Sequence, residues 1–327
     1  LEENDHAWRK QFHFGDWLAL DHPRQDVEQV FGGTDEDFLA CVYFAVSAEL
    51  TAKAAAVLGY EEDRAAYQAL YDAQIAEIKR EYYSVSGRCC IKTQTALLLT
   101  LKYHLSENEE LVRNQLKKLF EDCDGKFRTG FIGTPILCHV LSDHGMSGLA
   151  YQLLLNEEYP GWLHEVKLGA TTVWERWNSV LDDGSISGTG MNSLNHYAYG
   201  SVLEWIFAHG AGLRFTQESR GGKKMRIVPE INLKLQELEA VYDSPAGLYR
   251  VHWQITGPES VRICVQIPFG CQAALMLPLA KPETYQDGKN PMFADVRDGM
   301  CILAAGSYEV VYETTEPLNG NTVSVRS

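Results

Sequence analysis

The sequence predicts a mainly α chain in two parts: a layered helical domain over residues 1–212 and a β-sandwich over residues 213–327. Three observations lead there. Up to residue 212, apolar residues recur at three- and four-residue spacing in segments divided by Gly, Pro and Ser turns. Segments that are apolar nearly all round alternate with segments carrying a single apolar stripe, which sets inner helices against outer ones. From about Leu213 the period changes to two, as in Tyr249, Val251, Trp253, Ile255 and then Val261, Ile263, Val265, Ile267.

The segment up to Gly33 reads as turn and loop around Gly15-Asp16-Trp17. Thr34 then predicts an N-cap, with Asp37 at the capping-box position, for a long apolar helix from Phe38 to Leu58 that Gly59 ends. After Tyr60, the positions Tyr67, Leu70, Tyr71, Ile75, Ile78 and Tyr82 mark an outer helix. The alternation repeats with a leucine-rich inner helix over Thr93–His104 and an amphipathic one over Glu107–Asp122. Gly133-Thr-Pro135 starts a helix running to about Ser142, since proline is tolerated near N1. Met146–Glu158 follows, and a last helix runs from about Asn195 to Ala211 with Tyr199, Val202, Leu203, Ile206 and Phe207 inward. Paired helices without intervening strands predict a toroid of concentric α-hairpins. Gly221-Gly222 reads as a turn, and further strands are expected at Ala273–Leu277, Met300–Leu303 and Tyr308–Tyr312.

At 327 residues, 45% hydrophobic and 22% charged, the chain has the composition of a folded globular protein. A net charge of −15 argues against nucleic acid or an anionic membrane surface as partner, and suits a neutral ligand. The eight cysteines show neither zinc-site spacing nor disulfide-scaffold density, so reduced thiols are expected. No nucleotide, phosphate or metal motif is present, and no cofactor is expected. No apolar run approaches the roughly 18 residues of a membrane-spanning helix, and no secretory leader pattern opens the chain. A cytoplasmic location is therefore favoured. The chain opens at Leu1 without methionine, so a fragment, a processed product or an engineered expression product is expected, with any targeting signal open to prior removal.

Function points to two stretches, Ala170–Trp177 and Gly190–Gly200, which concentrate aromatics, amides, one carboxylate, one arginine and one imidazole. Aromatic faces take the C–H faces of a pyranose, amides and imidazole satisfy its hydroxyls, and a carboxylate activates water. Glu175 stands between Trp174 and Arg176. Burial against indole would raise its pKa and the guanidinium would lower it, so a catalytic carboxylate and a structural Glu–Arg pair both remain open.

Thr171-Thr-Val-Trp-Glu-Arg-Trp177 and Gly190-Met-Asn-Ser-Leu-Asn-His-Tyr-Ala-Tyr-Gly-Ser-Val202 resemble late catalytic motifs of the bacterial α-L-rhamnosidases, glycoside hydrolase family 78. Phe14-Gly-Asp-Trp-Leu-Ala-Leu-Asp21 and Thr129-Gly-Phe-Ile-Gly-Thr-Pro135 resemble the same family, in the same order. The resemblance implies an (α/α)6 barrel of six hairpins, followed by a jelly-roll-like β domain. About seven helices are legible where such a barrel needs twelve, so roughly its first third is expected upstream of Leu1 or absent.

By the same resemblance, the reaction is hydrolysis of terminal α-L-rhamnosides with inversion, and Glu175 is the general base. Trp17, Asp16, Trp174 and His196 are implied as sugar contacts, and the partner is a rhamnose-containing glycoside, with oligomerisation open. The family's early Asp-Glu-Arg-Leu-Gly-Trp-like segment, which carries its general acid, has no counterpart here, and Asn178 stands where the family usually has aspartate. Two other readings therefore remain: a non-catalytic sugar-binding or interaction fragment, and an α/α-barrel glycosidase for a different sugar.

Overall fold

The computed structural model describes residues 8, 12–22, 30–188, 190–216, 219–285 and 299–316. The chain divides into two compact units, Leu1–Val140 with Leu155–Tyr199, and Leu141–Leu154 with Gly200–Ser327.

In the first unit, α1 (Glu36–Leu58) and α2 (Glu61–Tyr82) form a hairpin. Asp35 rather than Thr34 caps α1, accepting from Phe38 N at 2.8 Å, because the Thr34 hydroxyl is engaged at 2.7 Å with Thr93 Oγ1. Gly59 closes α1 in the left-handed conformation, φ 79°. Small residues Ala45, Ala48, Ala52 and Ala55 form the buried stripe of α1, which lets the facing backbone approach, while Leu50 and Val57 face solvent. By length and composition α1 is apolar enough to cross a membrane, with mean hydropathy 1.5 over an 18-residue window. This corrects the expectation that no segment comes near that limit, since Glu49 and Lys53 interrupt the run without lowering its average enough. Only Gln74 and Ile78 of α2 are buried, as befits an outer helix.

The next pair is α3 (Gln94–Lys102), capped by Thr93 and buried along its length up to Leu101, and α4 (Glu109–Glu121), capped by Asn108 and buried at Val112, Leu116 and Phe120. α5 (Thr134–Asp143) begins in this unit and ends in the second, to which α6 (Ser147–Leu154) belongs. A short helix, α7 (Trp162–Lys167), lies where no helix was expected, because six residues behind Pro160 are too few to show a period.

In the second unit the last helical stretch is not uniform. A 3-10 turn over Ala198–Ser201 leads into α8 (Val202–Trp205), and Ile206–Gly210 is wound as a π-helix. The changing pitch rotates the inward face, so Trp205 and His209 are buried while Leu203, expected inward, is 56% exposed.

Strands β1 (Leu213–Phe215), β2 (Lys224–Ile227), β3 (Glu237–Ser244), β4 (Gly247–Gly257), β5 (Ser260–Met276) and β6 (Met300–Glu313) join in one sheet, ordered β1-β2-β5-β4-β3 with β6 also on β5. The first half of β5 pairs with β4 and the second half pairs in parallel with β2. Between them, at Ile267/Gln272, the register against β6 shifts through a bulge. Buried side chains from both halves, among them Met225, Ile227, Trp253, Ile263 and Leu303, belong to one core cluster, so a single sheet carries the core of this β domain. Trp253 is fully buried and donates to Gly210 O at 2.8 Å, which makes it a core residue. All eight cysteines are free thiols.

Glu230 knots this unit together. Its carboxylate accepts from Ser142 Oγ at 2.7 Å, His209 Nδ1 at 2.8 Å and Arg214 Nη2 at 3.0 Å, while Tyr151 donates to its carbonyl at 2.6 Å. Burial pushes the Glu230 carboxyl up, but the His209 contact and the Ser147 and Ser142 hydroxyls outweigh it and the net shift is downward. A lowered folded-state pKa stabilises above the unfolded value and is lost as pH falls below about 4.5. Glu230→Ala is expected to cost about 3–5 kcal/mol at pH 7 in urea unfolding, by leaving His209 and Arg214 without their carboxylate. The deficit should shrink when the titration is repeated below pH 4.

Candidate active site

Asp16 organises the first wall of the site from inside the protein. It is fully buried, and its carboxylate accepts from Thr95 Oγ1, from Gly130 N at 3.0 Å, Ile132 N at 2.8 Å and Gly133 N at 3.1 Å. Burial raises its pKa, and these four hydrogen bonds pull the other way. Both of its oxygens are thus engaged by donors of the protein itself. The loop it holds is fixed further by Phe131 N donating to Trp17 O at 2.8 Å and by Leu20 N donating to Arg128 O at 2.9 Å. Gly130 is required by this close approach, since a Cβ there would lie 2.3 Å from Trp17 O.

The second wall is the turn through Trp174–Trp177. Glu175 pairs reciprocally with Ser193: its N–H donates to Ser193 O at 2.9 Å, and Ser193 N donates to Glu175 Oε2 at 2.8 Å. His196 N donates to Val173 O at 2.8 Å, so Glu175 and His196 lie on paired segments and both remain half-buried. Arg176, 8% exposed, directs Nε to Met191 O and Nη2 to Gly190 O, anchoring the returning loop. The Trp174 side chain is only 4% exposed, which leaves it little face for a sugar.

Beneath these walls lies an aromatic floor. Trp177 stacks on Tyr199 at 4.1 Å and meets Phe127 and Trp162 at 4.9 and 5.3 Å, while Trp162 Nε1 donates to Tyr199 O at 2.9 Å. Phe131 joins the walls: its N–H is bound to Trp17 O, and its ring stacks on His196 at 5.0 Å. Sequence reasoning passed over Phe131 and Ser193 although both lie inside quoted motifs, because neither residue type by itself signals chemistry.

The bacterial α-L-rhamnosidase 6 hairpin glycosidase domain matches residues 1–209, and the bacterial α-L-rhamnosidase C-terminal domain matches residues 212–291. The chain belongs to the bacterial α-L-rhamnosidase family. It is 35% identical over 309 residues to an α-L-rhamnosidase of Formosa agariphila, covering 90% of this chain and 33% of that protein. An Alteromonas α-L-rhamnosidase is 35% identical over 81% of this chain and 29% of its own length. The crystal structure of the Streptomyces avermitilis α-L-rhamnosidase complexed with L-rhamnose superposes with TM-score 0.80 at 30% identity, over 95% of this chain and 29% of that one. The chain thus spans about a third of the length of the relatives it matches.

This rhamnosidase-family chain also buries a second carboxyl near the Trp174 turn, one that sequence reasoning did not single out. Glu165 on α7 is 4% exposed, and among the described residues its Oε1 has no hydrogen-bond partner. Burial pushes its pKa up to about 8 against the opposing pull of the Trp174 N–H, so it is a neutral acid at pH 7.

Two outcomes follow from these buried carboxyls. Asp16→Ala should destabilise the protein by more than about 3 kcal/mol in denaturant titration, because three backbone N–H groups and the Thr95 hydroxyl lose their acceptor. Glu165 has the opposite sign. Below its unfolded value of 4.5 both states are protonated, whereas between 4.5 and about 8 only the unfolded state ionises and stability drains away. Glu165→Gln should therefore melt close to the parent at pH 4.5 and progressively above it towards pH 8; a constant offset across that range would refute the assignment.

Proposed function

We propose that this chain carries the water-activating side of an inverting α-L-rhamnosidase, with Glu175 as general base. The observation that carries the reading is the asymmetry of its carboxylate. Ser193 N–H fixes Oε2 at 2.8 Å, and among the described residues no donor within hydrogen-bonding distance is assigned to Oε1. A carboxylate held by one oxygen presents the other in a fixed direction, which is what deprotonating a positioned water requires.

In the step so built, water adds to the anomeric carbon from the face opposite the leaving group, and Glu175 takes its proton. The glycosidic C–O bond breaks with its electron pair going to the leaving oxygen, which takes up a proton from an acid, or from solvent water when it leaves as a phenolate, giving L-rhamnose of inverted configuration and an alcohol or phenol. His196, held flat by Phe131, is suited to bind a sugar hydroxyl, and Trp17 offers a half-exposed indole to an apolar sugar face. The −15 net charge fits a neutral glycoside.

Aryl rhamnosides test this, since a phenol leaves with less help from an acid than an alcohol does. Glu175→Gln should reduce kcat by about 10²–10⁴-fold with rhamnose affinity retained. His196→Ala should weaken rhamnose binding by about 1–3 kcal/mol. Azide added to Glu175→Ala should restore turnover and yield a β-rhamnosyl azide. Parent-like turnover by Glu175→Gln would make this glutamate structural and would sink the reading.

A further inference from the structure

Two side chains of α7, one helical turn apart, reach both ends of the Trp174–Trp177 turn that carries Glu175. Trp162 packs edge-on against Trp177 at 5.3 Å and donates from Nε1 to Tyr199 O at 2.9 Å. Glu165 takes the other end, its carboxyl accepting the Trp174 N–H. The Glu165 carbonyl also accepts from Ala170 N at 2.9 Å. One residue thus holds the chain where it leaves α7 and again where it enters the turn.

The Trp174 amide shows what the carboxyl does there. Trp174 is buried, and a buried N–H needs an acceptor. Val173 C=O and Trp174 N–H belong to one planar trans peptide, so they point in opposite directions. His196 N donates to Val173 O at 2.8 Å on one side, and Glu165 receives the Trp174 N–H on the other. Oε1 of Glu165 has no hydrogen-bond partner among the described residues, so the amide is held through the other oxygen. The peptide plane immediately before Glu175 is therefore clamped at both edges, and Glu175 N, donating to Ser193 O at 2.9 Å, continues the pairing on the His196 side.

We propose that Glu165 is a positioning residue for the general base: by holding the Trp174 amide from the α7 side, it sets the direction in which the Glu175 carboxylate faces its water. This rests on the reading of Glu175 as general base and adds the residue that aims it. Glu165 is 4% exposed, so it acts through the peptide and not on the sugar. Burial keeps it neutral at pH 7, so it serves as an acceptor and sets no negative charge behind the base. The titratable group facing it is Tyr199, which burial also holds protonated. Rotation of the 173–174 peptide plane would swing Glu175, and a misplacement of about 1 Å costs a catalytic group on the order of 10²-fold.

The test uses the whole 327-residue chain and two substitutions. Glu165→Met keeps the length of the side chain and removes the acceptor, whereas Glu165→Gln keeps an acceptor oxygen. With an aryl α-L-rhamnoside near neutral pH, Glu165→Met should lower kcat by about 10–100-fold with KM within about twofold of the parent. Glu165→Gln should recover most of that loss. A residue that only stabilises the fold would lower the melting temperature of Glu165→Met and leave kcat unchanged below it, and that result overturns the proposal. So does a loss in Glu165→Met that Glu165→Gln fails to recover. A second readout needs no turnover: in NMR spectra of isotope-labelled tryptophan, the Trp174 backbone amide, identified through Trp174→Phe, should titrate with a midpoint near pH 8 in the parent and stay still over that range in Glu165→Gln. An amide that does not move in the parent overturns the proposal even where Glu165→Met fails to fold. Parent-like turnover by Glu175→Gln, or no rhamnoside turnover by the parent, removes the general-base reading and this proposal with it. Crippled turnover in Glu175→Gln beside an intact kcat in Glu165→Met removes this proposal alone.

Discussion

A buried carboxylate holds the first unit's site in shape. Asp16 has no solvent contact, yet it gathers three N–H groups of one loop, those of Gly130, Ile132 and Gly133, and a threonine hydroxyl onto two oxygens. Backbone amides in a loop need acceptors as much as those in a helix do, and a buried loop without them would not persist. By supplying them, Asp16 fixes Gly130–Gly133 against the Gly15–Leu20 turn at a separation that admits no side chain at position 130. Phe131 is thereby placed, and through its ring so is His196.

The second unit solves a related problem with a different balance. Glu230 is as inaccessible as the core around it, but contact with the His209 imidazole and the Ser147 and Ser142 hydroxyls outweighs desolvation and the carboxyl is shifted down. Glu165 marks the other extreme. It has burial without a charged partner among those that govern its titration, and its proton stays on to about pH 8. Three buried carboxyls in one chain thus differ according to what surrounds each one, not according to burial itself.

Glu175 differs from all three by remaining half-buried and bound through one oxygen. That is the condition under which a carboxylate is both oriented and reachable. The stacked Trp177 and Tyr199 beneath it give the turn a rigid base, and Arg176 ties the returning loop to the same turn. The position of Glu175 is therefore set by a short turn whose precision comes from the packing of Trp177 and the hydrogen bonds beside it.

Much of this chain is readable from its residues alone. Period marks α1 to α4 because each has a stripe or an all-round apolar surface, and strict alternation marks β4 and β5 because one sheet face is buried. The motifs around Trp17, Phe131, Glu175 and His196 are equally visible, being dense in residue types that bind sugars. Tertiary structure alone decided how each polar group is used. Thr34 and Asp35 compete for one cap, and the distant Thr93 settles it. Leu203 faces outward in a stretch that passes from 3-10 to α to π winding between Ala198 and Gly210, where a uniform helical period places it inward. Nothing in the Gly-Asp-Trp turn itself announces that Asp16 gathers Thr95 and the 130–133 loop, some eighty to a hundred and twenty residues away, onto its two oxygens. Periodicity is a local property and survives in one dimension; the satisfaction of a buried polar group depends on partners that only the folded chain brings within 3 Å.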